Sequence, residues 1–263
     1  AVSTEANQIV ASSVSGVLAV AVACLPIFAD GFVLRRWQGG VFLGYYVAYL
    51  VWLGLDSADH DLHSTYAVAM GYFVVPLTVL TLVVVGDSLS AGYGLAATDA
   101  FPAKLEAALR KRGYDIRVEN AGVSGDTTAG GRARLGWAIG DNPDGVILEL
   151  GANDALRGIS PELSRENLDT MIARLTEKGI DVILAGMLAP PNMGEDYAAG
   201  FNPIFPDLAE KHDVPLYPFF LDGVAAQPDK QLEDGMHPNE KGVEMMVEGF
   251  LPLMEAYLDG RDG

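Results

Sequence analysis

Five residues, spread over 150 positions, have side chains or backbone groups suited to acyl transfer: Ser88, Gly125, Asn153, Asp234 and His237. That reaction needs a nucleophilic hydroxyl, a base to take its proton, and donors aimed at the oxyanion that develops. Serine is a weak nucleophile at its own pKa, so the base is obligatory. His237 is the candidate base, because imidazole titrates near working pH. Asp234 precedes it by three residues, so one turn can present both side chains, with the carboxylate fixing tautomer and ring orientation. The backbone N–H groups of Ser88 and Gly125 and the Asn153 amide can supply three oxyanion donors.

Each piece also has a plainer reading. Gly86-Asp87-Ser88 is ordinary turn chemistry, in which a serine or aspartate caps a helix. Gly125 can be a turn residue at positive φ, and Asn153-Asp154 an Asx-turn. Asp87 and Asp154 read as scaffold carboxylates that bond loop backbone. His212, between Lys211 and Asp213 just ahead of an apolar run, reads as a surface residue. His60 and His63 lie in an Asp-rich loop over residues 56–63, which reads as a solvated connection. No Cys/His cluster has zinc spacing, so neither a metal nor a cofactor is expected.

The elements that must position these residues follow from pattern. From Thr81 onward, short apolar runs alternate with helical segments, which predicts a parallel α/β sheet. The run 81–85, rich in valine, predicts a buried strand ending at Gly86. Asp99 as N-cap, Pro102 early and a basic last turn before Gly113 predict a helix over 101–112. A second strand covers 116–119, and its small-residue loop through Gly125 opens a helix over 129–139. A third strand at 145–150 runs into Gly151-Ala152-Asn153-Asp154. Ser160-Pro161 starts a helix to 178, and a fourth strand follows at 181–186. A helix near 197–212, a fifth strand at 214–217, and a last helix capped by Asn239 to about 258 complete the pattern. The candidate residues fall just beyond strand ends, where open α/β sheets bind ligands.

Four blocks carry a resemblance: Gly86-Asp87-Ser88-Leu89, Ser124-Gly125-Asp126-Thr127, Gly151-Ala152-Asn153-Asp154 and Asp234-Gly235-Met236-His237-Pro238. They are similar to the sequence blocks of the GDSL/SGNH hydrolases, over about residues 80–258. The wording around Ser88 and Gly125 looks most like the bacterial arylesterase, thioesterase and lysophospholipase subgroup. The resemblance implies a three-layer flavodoxin-like sandwich with a five-stranded parallel sheet in the order 2-1-3-4-5. It implies Ser88 as nucleophile, His237 as base, Asp234 as orienting acid, and Ser88, Gly125 and Asn153 as the oxyanion hole. The expected partner is a small acyl or aryl ester, thioester or lysophospholipid. Leu156, Pro190 and Met193 are expected to line the acyl pocket, between the loops 154–159 and 189–194. An O-acetylated sugar is the alternative substrate on the same fold.

The 263 residues carry 17 Lys+Arg against 35 Asp+Glu, a net charge of −18. That excludes a nucleic-acid partner, whose phosphates call for clustered bases. The lone cysteine, Cys24, forms no intrachain disulfide. Residues 9–29 are uncharged and long enough to span a bilayer. Residues 39–55 follow with Tyr45, Tyr46, Tyr49 and Trp52 as interfacial aromatics, and a third apolar stretch covers 65–85. The segment around Ala29-Asp30-Gly31 and Leu43-Gly44-Tyr45-Tyr46 resembles the C-terminal helices of bacterial sodium/calcium antiporters. The ion-coordinating repeats of that family have no counterpart here. Residues 1–80 are therefore expected to be an apolar helical segment, either a membrane anchor or a fused antiporter fragment, and 81–263 the hydrolase domain. The expected setting is a bacterial membrane, with that domain periplasmic after two spans or cytoplasmic after three. A transport or anchoring module with an incidental hydrolase homology is the reading from a different class.

Overall fold

Val83, Val84 and Val85 are almost fully buried on both sides of the strand that contains them, which is why β1 (Leu80–Gly86) lies mid-sheet. A fully buried Val or Leu stabilises by about 1.5–3 kcal/mol relative to exposure, so such a strand is stable only when covered on both faces. The computed structural model describes residues 80–140 and 143–261. They belong to one unit, Val79–Gly263. The expected apolar helices, membrane anchor and antiporter-like segment, with Cys24, His60 and His63, lie outside the described residues. Among the described residues no helix is long and apolar enough to cross a membrane.

β2 (Ile116–Asn120) and β3 (Gly145–Glu149) flank β1, and β4 (Asp181–Ala185) and the short β5 (Leu216–Tyr217) extend the sheet. All neighbours are parallel, in the order β2-β1-β3-β4-β5. α1 (Ser88–Ala91) is a single turn following β1. α2 (Phe101–Lys111) and the C-terminal α8 (Glu240–Arg261) pack together, where Phe101 meets Phe220 and Phe250 edge-on at 4.8 and 5.4 Å. α3 (Thr128–Ala138), α5 (Pro161–Thr176) and α7 (Ile204–His212) pack among themselves, with α4 (Ala152–Leu156) and α6 (Glu195–Phe201) between them in sequence. The result is helix, sheet, helix: a three-layer α/β sandwich.

The structure departs from expectation where local chemistry intervenes. Asp99 does not cap α2. It sits in a 3₁₀ turn and pairs with Lys104 at 2.9 Å, leaving Ala100 as a cap without a side-chain bond. The single helix expected near 197–212 is two, α6 and α7, because Pro203 has no N–H to continue the first. β5 is only two residues long, pairing with Leu184 and Ala185. Asn239 caps α8 as expected, accepting from the Gly242 N–H at 3.1 Å.

Candidate active site

β1 ends at Gly86 because only glycine fits there: a Cβ would lie 2.2 Å from the Ser90 hydroxyl and 2.5 Å from Glu149 Oε2. Asp87 then caps α1, its Oδ1 accepting from the Leu89 N–H at 2.9 Å. Ser88 is thereby the first residue of α1, where a backbone N–H has no acceptor within the helix. Its side chain is turned to the carboxyl end of the sheet.

There it meets His237 across 149 positions of chain: Ser88 Oγ lies 2.8 Å from Nε2. The other ring nitrogen, Nδ1, is 2.6 Å from Asp234 Oδ2. Asp234 Oδ1 accepts from the backbone N–H groups of Met236 and His237, at 2.9 and 3.0 Å. Those two N–H bonds and the imidazole hold the Asp234 carboxyl down at about 2. An ionised carboxylate only accepts, so Nδ1 carries the hydrogen and Nε2 of the neutral ring presents its lone pair to the Ser88 hydroxyl. Tyr93 lays its ring against the imidazole, with centroids 4.4 Å apart and a 33° tilt.

Asn153 arrives from the third strand end, on α4 rather than in an Asx-turn. Its Nδ2 donates to Asp87 Oδ2 at 3.0 Å, which brings the amide beside the Ser88 turn. Burial pushes the Asp87 carboxyl up to about 6 against the pull of the Leu89 N–H, Asn153 and His237. Gly125 adopts φ +81°, a left-handed conformation that favours glycine. Its carbonyl accepts from Arg157 at 2.8 Å. The loop that carries it is fastened to the end of β1: the Val123 N–H donates to the Gly86 carbonyl, and Arg134 bonds Gly86, Ala121 and Asp126 at 2.9, 2.7 and 2.6 Å.

Asp154 is a buried scaffold group. It accepts from the Thr128 N–H and hydroxyl at 2.8 and 2.5 Å and from Ser164 at 3.0 Å, which ties α3, α4 and α5 together. Leu156 is half exposed. Met193, two residues past a break at Pro190-Pro191, has its methyl next to Gly158, so the loops 154–159 and 189–194 do adjoin. His212 is not the surface residue expected: its side chain is only 14% exposed and Nε2 lies 2.5 Å from Asp169, ahead of β5 at the opposite sheet edge. A depression lined by Thr81, Val83, Pro143 and Asp144 opens at that opposite edge and holds none of the groups around Ser88.

Sequence reasoning passed over Tyr93, Arg134, Arg157 and Glu149. For Glu149 a signal existed: it is the one charged residue in the otherwise apolar run 145–150. For the others there was none, since an Arg on a helix or a Tyr in a Gly-rich turn is commonplace.

The family model for GDSL-like lipases and acylhydrolases matches residues 84–245. An arylesterase of Vibrio mimicus is 42% identical over 168 residues, 64% of this chain and 84% of that protein. Thioesterase 1/protease 1/lysophospholipase L1 of Escherichia coli K12 is 39% identical over 160 residues, 60% of this chain and 76% of its own. The crystal structure of TesA superposes with a TM-score of 0.64 at 39% identity, covering 67% of this chain and 98% of TesA. The family match spans all four blocks and the sheet from the last residues of β1 to the start of α8, and with it the chain takes its place in the GDSL-like lipase/acylhydrolase family, as an ester hydrolase.

Proposed function

We propose that the chain is a serine esterase that cleaves acyl and aryl esters, and thioesters or lysophospholipids of similar shape, through an acyl-enzyme on Ser88. The carrying observation is the continuous line from Asp234 through His237 to Ser88, with gaps of 2.6 and 2.8 Å. As Ser88 Oγ attacks the substrate carbonyl carbon, its proton passes to Nε2. The imidazolium so formed is steadied by the Asp234 carboxylate. The negative charge on the former carbonyl oxygen faces the Ser88 N–H, the Gly125 N–H and the Asn153 amide. Each such donor in a serine hydrolase lowers the barrier by about 3 kcal/mol. Collapse expels the leaving group, which takes the proton from Nε2. Water, deprotonated by the same nitrogen, then releases the acid and restores the Ser88 hydroxyl.

The acyl group is placed between the loops 154–159 and 189–194, against Leu156, Pro190 and Met193. The names of the relatives support aryl esters, thioesters and lysophospholipids as the classes to try first. The test is hydrolysis of p-nitrophenyl acetate through octanoate by wild type, Ser88→Ala and His237→Ala. Both variants are expected to lose at least about 10³-fold in kcat. A near-wild-type rate in either overturns the reading.

A further inference from the structure

Beneath the Ser88 turn lies a carboxyl that the acyl-transfer steps do not use. Glu149, the last residue of β3, is completely buried. One oxygen, Oε2, accepts from the Asp87 N–H at 3.2 Å. The other, Oε1, has no hydrogen-bond partner among the described residues. A buried carboxylate with an unbonded oxygen is costly, whereas a neutral acid tolerates an unbonded carbonyl far better. Ser90, also fully buried, bonds this carboxyl through its hydroxyl and backbone. Those bonds pull the Glu149 carboxyl down, against its burial, and the same hydroxyl also lies 3.3 Å from the Asp87 carbonyl.

The second carboxyl, Asp87, is bonded for the opposite state. Its two oxygens take the Leu89 N–H and the Asn153 amide, both donors. The charged and titratable groups that face the pair are His237 and Asp126, besides each other, and the Arg134 guanidinium on the Gly86 carbonyl. Two buried carboxyls this close do not both ionise. Burial and the neighbouring Asp87 charge both push Glu149 well above the carboxylate range.

We propose that Glu149 is a positioning residue held as a neutral acid at neutral pH, so that the pair's single negative charge stays on Asp87 and orients the Asn153 amide. The positioning role rests on the proposed place of Asn153 in the oxyanion hole, whereas the protonation state does not.

The test is infrared spectroscopy of the full chain carrying ¹³C-carboxyl glutamate, beside kinetics of Glu149→Gln, the isostere of the neutral acid. A protonated-carboxyl band at neutral pH that moves with the glutamate label and vanishes in Glu149→Gln is expected. That variant is expected to keep kcat/KM within about threefold and an unshifted acidic limb of the pH profile. No such band in the wild type overturns the proposal, whether or not the variant folds. So does an acidic limb that moves to lower pH in Glu149→Gln, since that shift means a negative charge has been removed. Loss of activity in Glu149→Gln by about 100-fold with the fold intact overturns the positioning role. If Ser88→Ala stays active while the band is present, the esterase reading fails and the protonation state stands.

Discussion

Asn153 and Asp87, on the third and first strand ends, are joined by a single bond of 3.0 Å from an amide to a carboxylate. The Asn153 side chain has two N–H donors, and this bond uses one of them. On the proposed reading of Asn153 as an oxyanion donor, Asp87 sets where that donor aims without touching substrate itself.

Asp87→Asn removes that anchor and is expected to lower kcat by about 10- to 100-fold with KM little changed. Because the Asp87 carboxyl is pushed up to about 6, wild type loses the anchor as pH falls through that value. The ratio of the two kcat profiles isolates the effect, and it is expected to narrow toward unity below about pH 6. Stability runs the other way. A carboxyl raised above its unfolded value of about 4 binds its proton in the folded state first, so its contribution worsens as pH rises from about 4 through 6. The Tm of Asp87→Asn relative to wild type is expected to climb over that window in calorimetry.

Asp234→Asn leaves the oxygen that takes the Met236 and His237 N–H groups but puts an amide donor opposite Nδ1. The ring must then carry its hydrogen on Nε2, facing away from the role of base. A loss of about 10³–10⁴ in kcat is expected in a steady-state assay, with a preserved circular dichroism spectrum. Since the carboxyl is held at about 2, its small, solvent-screened contribution to stability is present above about pH 4. That contribution is lost only as pH falls through about 2.

Asp154 separates scaffold from chemistry. Asp154→Ala strands the Thr128 N–H in a fully buried place, takes the acceptor from the Thr128 hydroxyl and leaves Ser164 only its longer bond to the Ser160 carbonyl. Urea unfolding is expected to show a loss of about 3 kcal/mol. The folded fraction should keep kcat within about threefold.

Met193→Trp tests where the acyl chain goes. If it lies between the loops that meet at Gly158 and Met193, a larger ring there lowers kcat/KM for octanoyl esters by about tenfold relative to acetyl esters. Equal effects on both chain lengths would move the pocket elsewhere.

Much of this was legible in the sequence, and for physical reasons. The valine run ending at Gly86 and the alternation after it have a period that only a parallel sheet explains, and the strand order followed from the family resemblance. Ser88 and Asn153 stood out as polar residues just beyond strand ends, and Asp234 and His237 as an acid and an imidazole three residues apart in the loop after β5. Arg134 did not, because its partner at the end of β1, the Gly86 carbonyl, is a backbone group that no residue pattern advertises; Glu149 was passed over although it is the one charge in an apolar strand. The missed cap at Asp99 and the broken helix at Pro203 have the same origin. An ion pair to Lys104 and a missing N–H are decided by local geometry rather than by hydrophobic period.

The central claim is that Ser88 carries the acyl group. Intact-mass and peptide mass spectrometry after mixing with a slowly released ester, or with a phosphonate ester that stalls at the first step, read this directly. The account predicts one adduct, on the peptide that contains Ser88, absent in Ser88→Ala and strongly slowed in His237→Ala. An adduct on any other residue, or turnover by an enzyme whose Ser88 has been replaced, would contradict it.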